Sequence, residues 1–229
     1  MQQNPTLVAD LLPTLNTSLR LAGPALDGEG TGSGRWFWQG KRAFDVGLAL
    51  VMLPVVGLAA LILLALNPFV NEGPLIFRQR RMGRAGTPFT ILKFRSMLPA
   101  KTVCRGPEDP VEVGRITPLG RFIRTTRIDE LPQVFNILAG EMSFVGPRPD
   151  MLEHAHRFIE TVPYYDRRHA VRPGITGFAQ VLAGYAEGSA ATIHKARLDV
   201  VYIRRACVRL ELSILARTAL VMVTGHGAR

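Results

Sequence analysis

The sequence predicts an α+β fold in which a long apolar helix meets a membrane, a small β-hairpin follows, and the rest of the chain is mainly helical. Three observations support this. Residues 46–66 are an uncharged, largely apolar run. Residues 75–95 contain two β-prone runs around a glycine-rich turn. The stretches 119–139 and 194–224 have helical patterns, and the helix opened by "DELPQVFNIL" should end at Gly140.

The chain divides into three parts by composition. Residues 1–40 are predicted to be a flexible tail, because Asn4-Pro5 and Leu12-Pro13 interrupt any helix and "GEGTGSG" has linker composition. A secretory signal peptide is not predicted, because the sequence has no basic region followed by an early apolar run. Residues 41–72 are predicted to be the membrane segment. Residues 73–224 are predicted to form the domain outside the lipid.

The apolar run could extend roughly 31 Å as a helix, which is about the thickness of a bilayer core. Basic residues lie on both sides of it: Arg35, Lys41 and Arg42 before, and Arg78, Arg80, Arg81 and Arg84 after. The positive-inside bias places both flanks on the cytoplasmic side, which a single straight span does not allow. Pro54 removes a backbone hydrogen bond and can bend the helix. Two interpretations stay open: a re-entrant helix-break-helix kinked at Pro54, or a simple span that tolerates this proline.

The predicted hairpin carries two cations on one face. Strands alternate their side chains, so Lys93 and Arg95 lie on the same side as Phe89 and Ile91 and could reach one anion. The alternative is a solvated edge whose charges oppose aggregation.

The chain is strongly basic, with 28 Lys and Arg against 18 Asp and Glu and a net charge of +10. Such an excess indicates an anionic partner: nucleic acid, a membrane surface or a phosphorylated substrate. Nucleic acid is disfavoured, because only scattered Phe and Tyr are available for base stacking among the arginines. Arg121, Arg124 and Arg127 recur every third residue, and a helix would hold them roughly along one side.

An adjacent acidic pair, Asp129 and Glu130, lies within this basic region. Neighbouring helical residues point about 100° apart, so the two carboxylates suit different tasks. An ionised Asp can act as a nucleophile toward phosphorus, and a Glu can bind Mg²⁺. The alternative is plain helix capping, which is common for acidic residues in a first turn. A glycosidase is disfavoured, because its two carboxylates must flank the scissile bond.

Four stretches carry a resemblance to a known family: "KRAFDVGLAL", "GPLIFRQRRMGRAGTPFTILKFRSM", "RITPLGRFIRTTRIDELPQVFNILAGEMSFVGPRP" and "RPGITGFAQV". In this order they resemble the bacterial sugar transferase family, the small monotopic polyprenyl-phosphate phosphoglycosyl transferases. The resemblance covers about residues 41–202. It implies transfer of a sugar-1-phosphate from a nucleotide diphosphate sugar, usually a UDP-sugar, to a polyprenyl phosphate such as undecaprenyl phosphate.

The resemblance also implies roles for individual residues. Asp129 would be the nucleophile that forms a covalent phosphosugar intermediate, and Glu130 would bind Mg²⁺. The basic positions that match the family, and would contact phosphate or nucleotide, are Lys93, Arg95, Arg124 and Arg148. The membrane element would be re-entrant, although Leu53 stands where relatives often have Ser before the bending proline.

The implied location is the cytoplasmic face of the bacterial inner membrane, in contact with membrane lipids, at the first membrane step of exopolysaccharide, O-antigen or glycoprotein glycan assembly. The rival hypothesis is a non-catalytic, membrane-anchored basic scaffold that binds acidic lipids or a partner glycosyl transferase. A homodimer stays open.

Overall fold

The computed structural model describes residues 34–71, 73–99, 112–183 and 189–224. Residues 1–33, which make up most of the predicted tail at 1–40, lie outside these residues. The described chain is mostly helical, with two small two-stranded sheets. The predicted α+β class is confirmed.

The first element, helix α1, spans Arg35–Val70, so residues 35–40 are helical and do not belong to the predicted tail. One helix among the described residues is long and apolar enough to cross a membrane, and only 17% of its most apolar window is buried. Pro54 lies inside α1 and is exposed, and the helix is assigned without interruption on either side of it. The exposed large apolar side chains between residues 50 and 66 are Leu50, Val51, Val55, Leu58, Leu61, Ile62, Leu64 and Leu66.

Both ends of α1 are hydrogen-bonded to the rest of the protein. Near its start, Arg42 donates to the carbonyl of Ile137 at 2.6 Å, and Asp45 accepts from the Phe144 backbone N–H at 3.2 Å. Just past its last residue, Asn71 donates to the Arg95 carbonyl at 2.7 Å. Between these points a buried stripe at seven-residue spacing, Ala49, Val56 and Leu63, belongs to the hydrophobic core.

The hairpin follows α1 as predicted. Strand β1, Ile76–Met82, pairs antiparallel with strand β2, Pro88–Phe94. The turn between them has Ala85 at φ 53° and Gly86 at φ 72°, left-handed conformations that glycine adopts without strain. Phe89 and Ile91 on β2 are buried, and their alternation carries Lys93 to the same inner face.

The acidic pair lies between two short helices. Helix α2, Pro118–Thr125, is capped by Thr117, whose hydroxyl accepts from the Gly120 N–H at 2.9 Å. A 3₁₀ turn, Ile128–Glu130, precedes helix α3, Gln133–Leu138. The expected end at Gly140 is confirmed, because α3 closes at Leu138 and Gly140 has φ 85°. Asp129 and Glu130 lie in the 3₁₀ turn and not in the first turn of α3.

The remainder completes the body around a second sheet. Strand β3, Ser143–Val145, pairs in parallel with strand β4, Gly174–Thr176. The other helices are α4 at Leu152–Thr161, α5 at Phe178–Ala183, α6 at Ser189–Arg205 and α7 at Val208–Thr224. The expected helical C-terminal segment is thus confirmed. The "GPRP" turn, residues 146–149, approaches the segment that leads into β4. A Cβ at Gly146 would lie 2.5 Å from the Arg172 carbonyl oxygen, which is closer than a side chain permits.

Candidate active site

The acidic pair is buried. Asp129 is 6% exposed and Glu130 is 4% exposed. The chain reaches them through Arg127, which has a left-handed backbone at φ 60°. This non-glycine residue ends α2 sharply and turns its own side chain back toward Glu130, since the two are only three residues apart.

Glu130 is held by three cations. Lys93 Nζ donates to Oε1 at 2.8 Å, and Arg148 Nη2 donates to the same oxygen at 2.6 Å. Arg127 Nη1 contacts Oε2 at 3.3 Å. The three partners come from β2, from the "GPRP" turn and from the segment after α2, so one carboxylate joins three parts of the fold.

These contacts set the charge of Glu130. Burial by itself raises the pKa of this carboxyl, but the attraction of Arg148 and Lys93 outweighs burial and holds the pKa well below its usual range. Burial lowers the pKa of Lys93, and Glu130 opposes that change. Glu130 is therefore ionised at neutral pH.

Asp129 has a different environment from its neighbour. Burial raises the pKa of Asp129, and the charge of Glu130 adds to this effect, while Lys93, Arg124 and Arg148 oppose it. Its carboxylate accepts no hydrogen bond from the described part of the chain. One carboxylate is thus fixed by direct contacts, and the other faces cations without being bound by them.

Arg148 owes its position to a buried network behind the "GPRP" turn. Arg168 donates to the Arg148 carbonyl at 2.8 Å, and Arg81 donates to the next carbonyl, that of Pro149, at 3.0 Å. Arg168 itself pairs with Asp150 and with Asp199, the latter at 2.8 Å. The turn is therefore anchored by buried charges on β1 and near the end of the 3₁₀ segment Tyr165–Ala170.

The structure brings some of the predicted site residues together and separates one. Lys93 and Arg148 both contact Glu130, and Arg124 is close enough to Asp129 to lower its pKa. Arg95 is not in this cluster, because its Nε donates to the Pro74 carbonyl at 2.8 Å, beside the end of α1. The expectation that Lys93 and Arg95 serve one anion is therefore not supported.

Sequence reasoning missed Arg127 and Arg168. The three-residue spacing from Arg127 to Glu130 was a usable local signal, because residues three apart meet on a helical turn. Arg168 had no such signal, since its carboxylate partners Asp150 and Asp199 are 18 and 31 residues away.

The donors at the acidic pair fit Mg²⁺ only in a limited way. No group of three His, Cys, Asp or Glu side chains that could hold a metal occurs in the described ranges. Mg²⁺ does not need one, because it commonly takes one or two carboxylates and completes its shell with phosphate oxygens and water. Glu130 Oε2, with a single contact at 3.3 Å, retains acceptor capacity, and Asp129 is adjacent. These residues fit an ion that arrives with a diphosphate.

Comparison with known proteins agrees with this geometry. The family profile for bacterial sugar transferases matches residues 36–225. The chain is 38% identical over 195 residues to UDP-N-acetylgalactosamine-undecaprenyl-phosphate N-acetylgalactosaminephosphotransferase of Aeromonas hydrophila, covering 82% of this chain and 45% of that protein. It is 38% identical over 201 residues to UDP-glucose:undecaprenyl-phosphate glucose-1-phosphate transferase of Caulobacter vibrioides, covering 82% and 71%.

An exopolysaccharide production protein of Rhizobium leguminosarum is 35% identical over 190 residues, covering 80% of this chain and 95% of that protein. The chain therefore spans less than half of the Aeromonas relative and nearly all of the Rhizobium one. The region matched by the family profile contains the hairpin, the acidic pair and the "GPRP" turn. The chain belongs to the bacterial sugar transferase family.

Proposed function

We propose that this protein transfers a sugar-1-phosphate from a UDP-sugar to undecaprenyl phosphate, with Asp129 as the covalent nucleophile. The observation that carries the proposal is the unequal treatment of two adjacent carboxylates. Glu130 is bound by Lys93, Arg127 and Arg148. Asp129 accepts no hydrogen bond from the described part of the chain, although Lys93, Arg124 and Arg148 are near enough to oppose the rise in its pKa. Two relatives are named as transferases from UDP-sugars to undecaprenyl phosphate.

The reaction has two displacements at one phosphorus. An Asp129 carboxylate oxygen attacks the phosphorus that carries the sugar, the bond from that phosphorus to the bridging oxygen breaks, and UMP leaves. An oxygen of undecaprenyl phosphate then attacks the same phosphorus, and the bond to Asp129 breaks. The products are UMP and undecaprenyl diphosphate sugar, and the Asp129 carboxylate is regenerated.

The surrounding groups have separate tasks in this scheme. Lys93, Arg124 and Arg148 offset the negative charge of the diphosphate and of the transferring phosphoryl group. Glu130 keeps Lys93 and Arg148 in place and would hold Mg²⁺, which supplies further neutralisation of the leaving phosphate when bound. Burial of Asp129 removes water from its carboxylate, which strengthens each of these electrostatic effects.

The same proposal places the protein on the cytoplasmic face of the bacterial inner membrane, with α1 re-entrant and bent near Pro54. Support comes from the two ends of α1, because Arg42 and Asp45 bind the body near one end and Asn71 binds it at the other. A straight span would carry these ends to opposite sides of the bilayer. Both substrates could then meet at headgroup depth.

Capture of the intermediate tests the chemistry. Enzyme mixed with UDP-sugar and Mg²⁺, and quenched without lipid acceptor, should show by mass spectrometry a phosphosugar adduct on the peptide containing Asp129. Asp129→Asn should show none and should release no UMP, while its membrane association stays intact. An active enzyme that never shows the adduct would exclude the covalent step. No UMP release from any UDP-sugar would favour the scaffold hypothesis.

Two further measurements test the metal and the topology. EDTA should abolish UMP release, and added Mg²⁺ should restore it; undiminished turnover in EDTA would remove the metal from the proposal. For α1, single cysteines at Trp36 and Phe69, both 86% exposed, should be labelled from the same side of sealed vesicles, with both native cysteines, Cys104 and Cys207, replaced by Ser. Labelling from opposite sides would mean a true span.

A further inference from the structure

A cavity of about 220 Å³ lies at the start of α1, away from the acidic pair. None of the residues Lys93, Asp129, Glu130 or Arg148 lines it. Its wall comes from the first turns of α1, the hairpin turn, β3 and the segment before β4. The lining residues are Arg35, Trp38, Lys41, Arg42, Asp45, Arg84, Ser143, Ala170, Val171 and Arg172.

The cavity is strongly cationic. Five Lys and Arg side chains line it, against one carboxylate, Asp45. Lys41 is neutralised by Glu211 at 2.6 Å and lies 3.8 Å from Asp45. The other four cations are all arginines. Arg35 and Arg84 form no ion pair within the described ranges.

The arginines repel one another in the absence of an anion. Burial lowers the pKa of Arg172, and the neighbouring charges of Arg42 and Arg84 lower it further. Part of this arrangement has a structural explanation, because Arg42 and Arg172 donate to the Leu138 and Gly140 carbonyls at the end of α3. That explanation does not extend to Arg35 and Arg84.

A second feature of the cavity also indicates a ligand. Trp38 lines it, and the indole N–H is buried without a hydrogen-bond partner in the described structure. Buried donors are nearly always satisfied, so an orphan donor beside a group of arginines suggests an acceptor that binds there. Oxygen atoms of a phosphate would serve both the indole and the guanidinium groups.

The depth of the cavity indicates the source of that phosphate. The uncharged run of α1 begins at Val46. With a rise of 1.5 Å per residue, the part of the cavity wall from Lys41 to Asp45 lies roughly 2 to 8 Å before that run. The polar layer on each side of a bilayer is about 5 to 8 Å thick. The cavity is therefore at the level of lipid headgroups.

We propose that this cavity binds the phosphate headgroup of an anionic membrane phospholipid, at a site separate from that of the transferred lipid carrier. Arg35, Arg84 and Arg172 bind the phosphate, and the Trp38 indole donates to it. The bound lipid connects the start of α1 to two other parts of the cavity wall. These are the hairpin turn, which carries Arg84, and the segment before β4, which carries Arg172.

The chain supplies its own reporter, because it contains two tryptophans and only Trp38 lines the cavity. In the full chain with Trp36→Phe, in uncharged detergent micelles, phosphatidylglycerol should change Trp38 emission in a saturable way. Phosphatidylcholine should not. The double variant Arg84→Ala/Arg172→Ala loses two guanidinium contacts. It should raise the phosphatidylglycerol concentration at half-saturation by about tenfold or more, since hydrogen bonds to charged groups are strong.

The matched control is Arg78→Ala/Arg80→Ala, which removes the same charge from exposed positions on β1. It should stay within about twofold of the parent, because neither Arg78 nor Arg80 lines the cavity. Equal weakening in both double variants would mean general attraction to a negative surface and would overturn the site. Since Arg172 also holds the Gly140 carbonyl, Arg84→Ala alone provides a second variant, and an unchanged response there would equally overturn the site.

Two further titrations identify the source of the phosphate. Undecaprenyl phosphate in the same uncharged detergent micelles, and inorganic phosphate without added lipid, should each leave Trp38 emission unchanged at concentrations where phosphatidylglycerol saturates it. A saturable response to undecaprenyl phosphate would assign the cavity to the carrier lipid instead. A response to inorganic phosphate of equal strength would show that no lipid is required. Either result would refute the proposal.

Discussion

The two adjacent carboxylates should affect stability in opposite directions when each is replaced by its amide. Glu130→Gln keeps the size and one carbonyl acceptor but removes the charge that holds Lys93, Arg127 and Arg148. Breaking a buried ion pair costs about 3–5 kcal/mol. The side chains of Lys93 and Arg148 are 15% and 31% exposed and can regain some water, so the lower end, about 3 kcal/mol, applies.

Asp129→Asn should instead raise stability at neutral pH. Because the pKa of Asp129 is raised in the folded protein, the folded state binds this proton more tightly than the unfolded chain. Ionisation of Asp129 therefore reduces stability as pH rises from its ordinary pKa through the raised one. The gain in stability from Asp129→Asn is fully present at pH values above both the ordinary and the raised pKa, and it vanishes below the ordinary pKa of 3.8.

Thermal unfolding of both variants in uncharged detergent checks this expectation. For a chain of this length, about 3 kcal/mol corresponds to a fall in Tm of about 6–12 °C for Glu130→Gln. Asp129→Asn should have a higher Tm than the parent at pH 7, and both variants should lose UMP release. Exposed Glu160→Gln is the control and should match the parent. If Asp129→Asn lowered Tm as far as Glu130→Gln at pH 7, the two carboxylates would be equivalent and the assignment of roles would fail.

Three other perturbations follow from the packing and the buried charges. Gly120→Ala puts a Cβ 2.0 Å from a backbone oxygen and should lower the free energy of unfolding by about 1–3 kcal/mol or more. The control Gly47→Ala, with nothing within 4 Å of its Cβ, should be neutral or stabilising. An equal Tm for the two variants would contradict the close approach at Gly120. Arg168→Ala removes the ion-pair partner of buried Asp199 and one of the partners of Asp150, so it should lower Tm. It should also lower kcat, because the Arg148 carbonyl loses its donor. An unchanged kcat would show that this network does not position the site. Burial lowers the pKa of His169 from 6.5 to about 4, so the free energy of unfolding should fall as pH drops through that interval. In urea titrations at several pH values, His169→Gln should reduce this fall. The same dependence on pH in parent and variant would refute the role of His169.

Much of the fold could be predicted because its signals are local. The apolar run, the two β-prone segments and the position of Gly140 each depend on neighbouring residues, and the structure has a helix, a hairpin and a helix end at those places. The start of α1 was predicted too late. Trp36 and Phe37 continue the helix before Lys41, and composition alone assigned them to the tail.

The site was predictable only in part, because its contacts are distant in sequence. The alternation of β2 indicated that Lys93 points inward, and Glu130 is its partner 37 residues later. The same alternation included Arg95, but β2 ends at Phe94, and beyond it the side chain turns to Pro74. The alternation of side chains applies only within the strand, which explains why Arg95 does not lie beside Lys93.

The six-residue helix α3 connects the long helix α1 to the acidic pair. Arg42 on α1 donates to the carbonyls of Ile137 and Leu138 at the end of α3. From the middle of α3, Asn136 donates to the Thr90 carbonyl at 2.7 Å and accepts from a neighbouring N–H on β2. Strand β2 carries the lysine that binds Glu130, and the acidic pair directly precedes α3 in the chain. Helix α3 therefore ties the position of α1 to both sides of the acidic pair. If the proposed function holds, this link would keep Asp129 and its neighbouring cations at a fixed depth relative to the membrane surface.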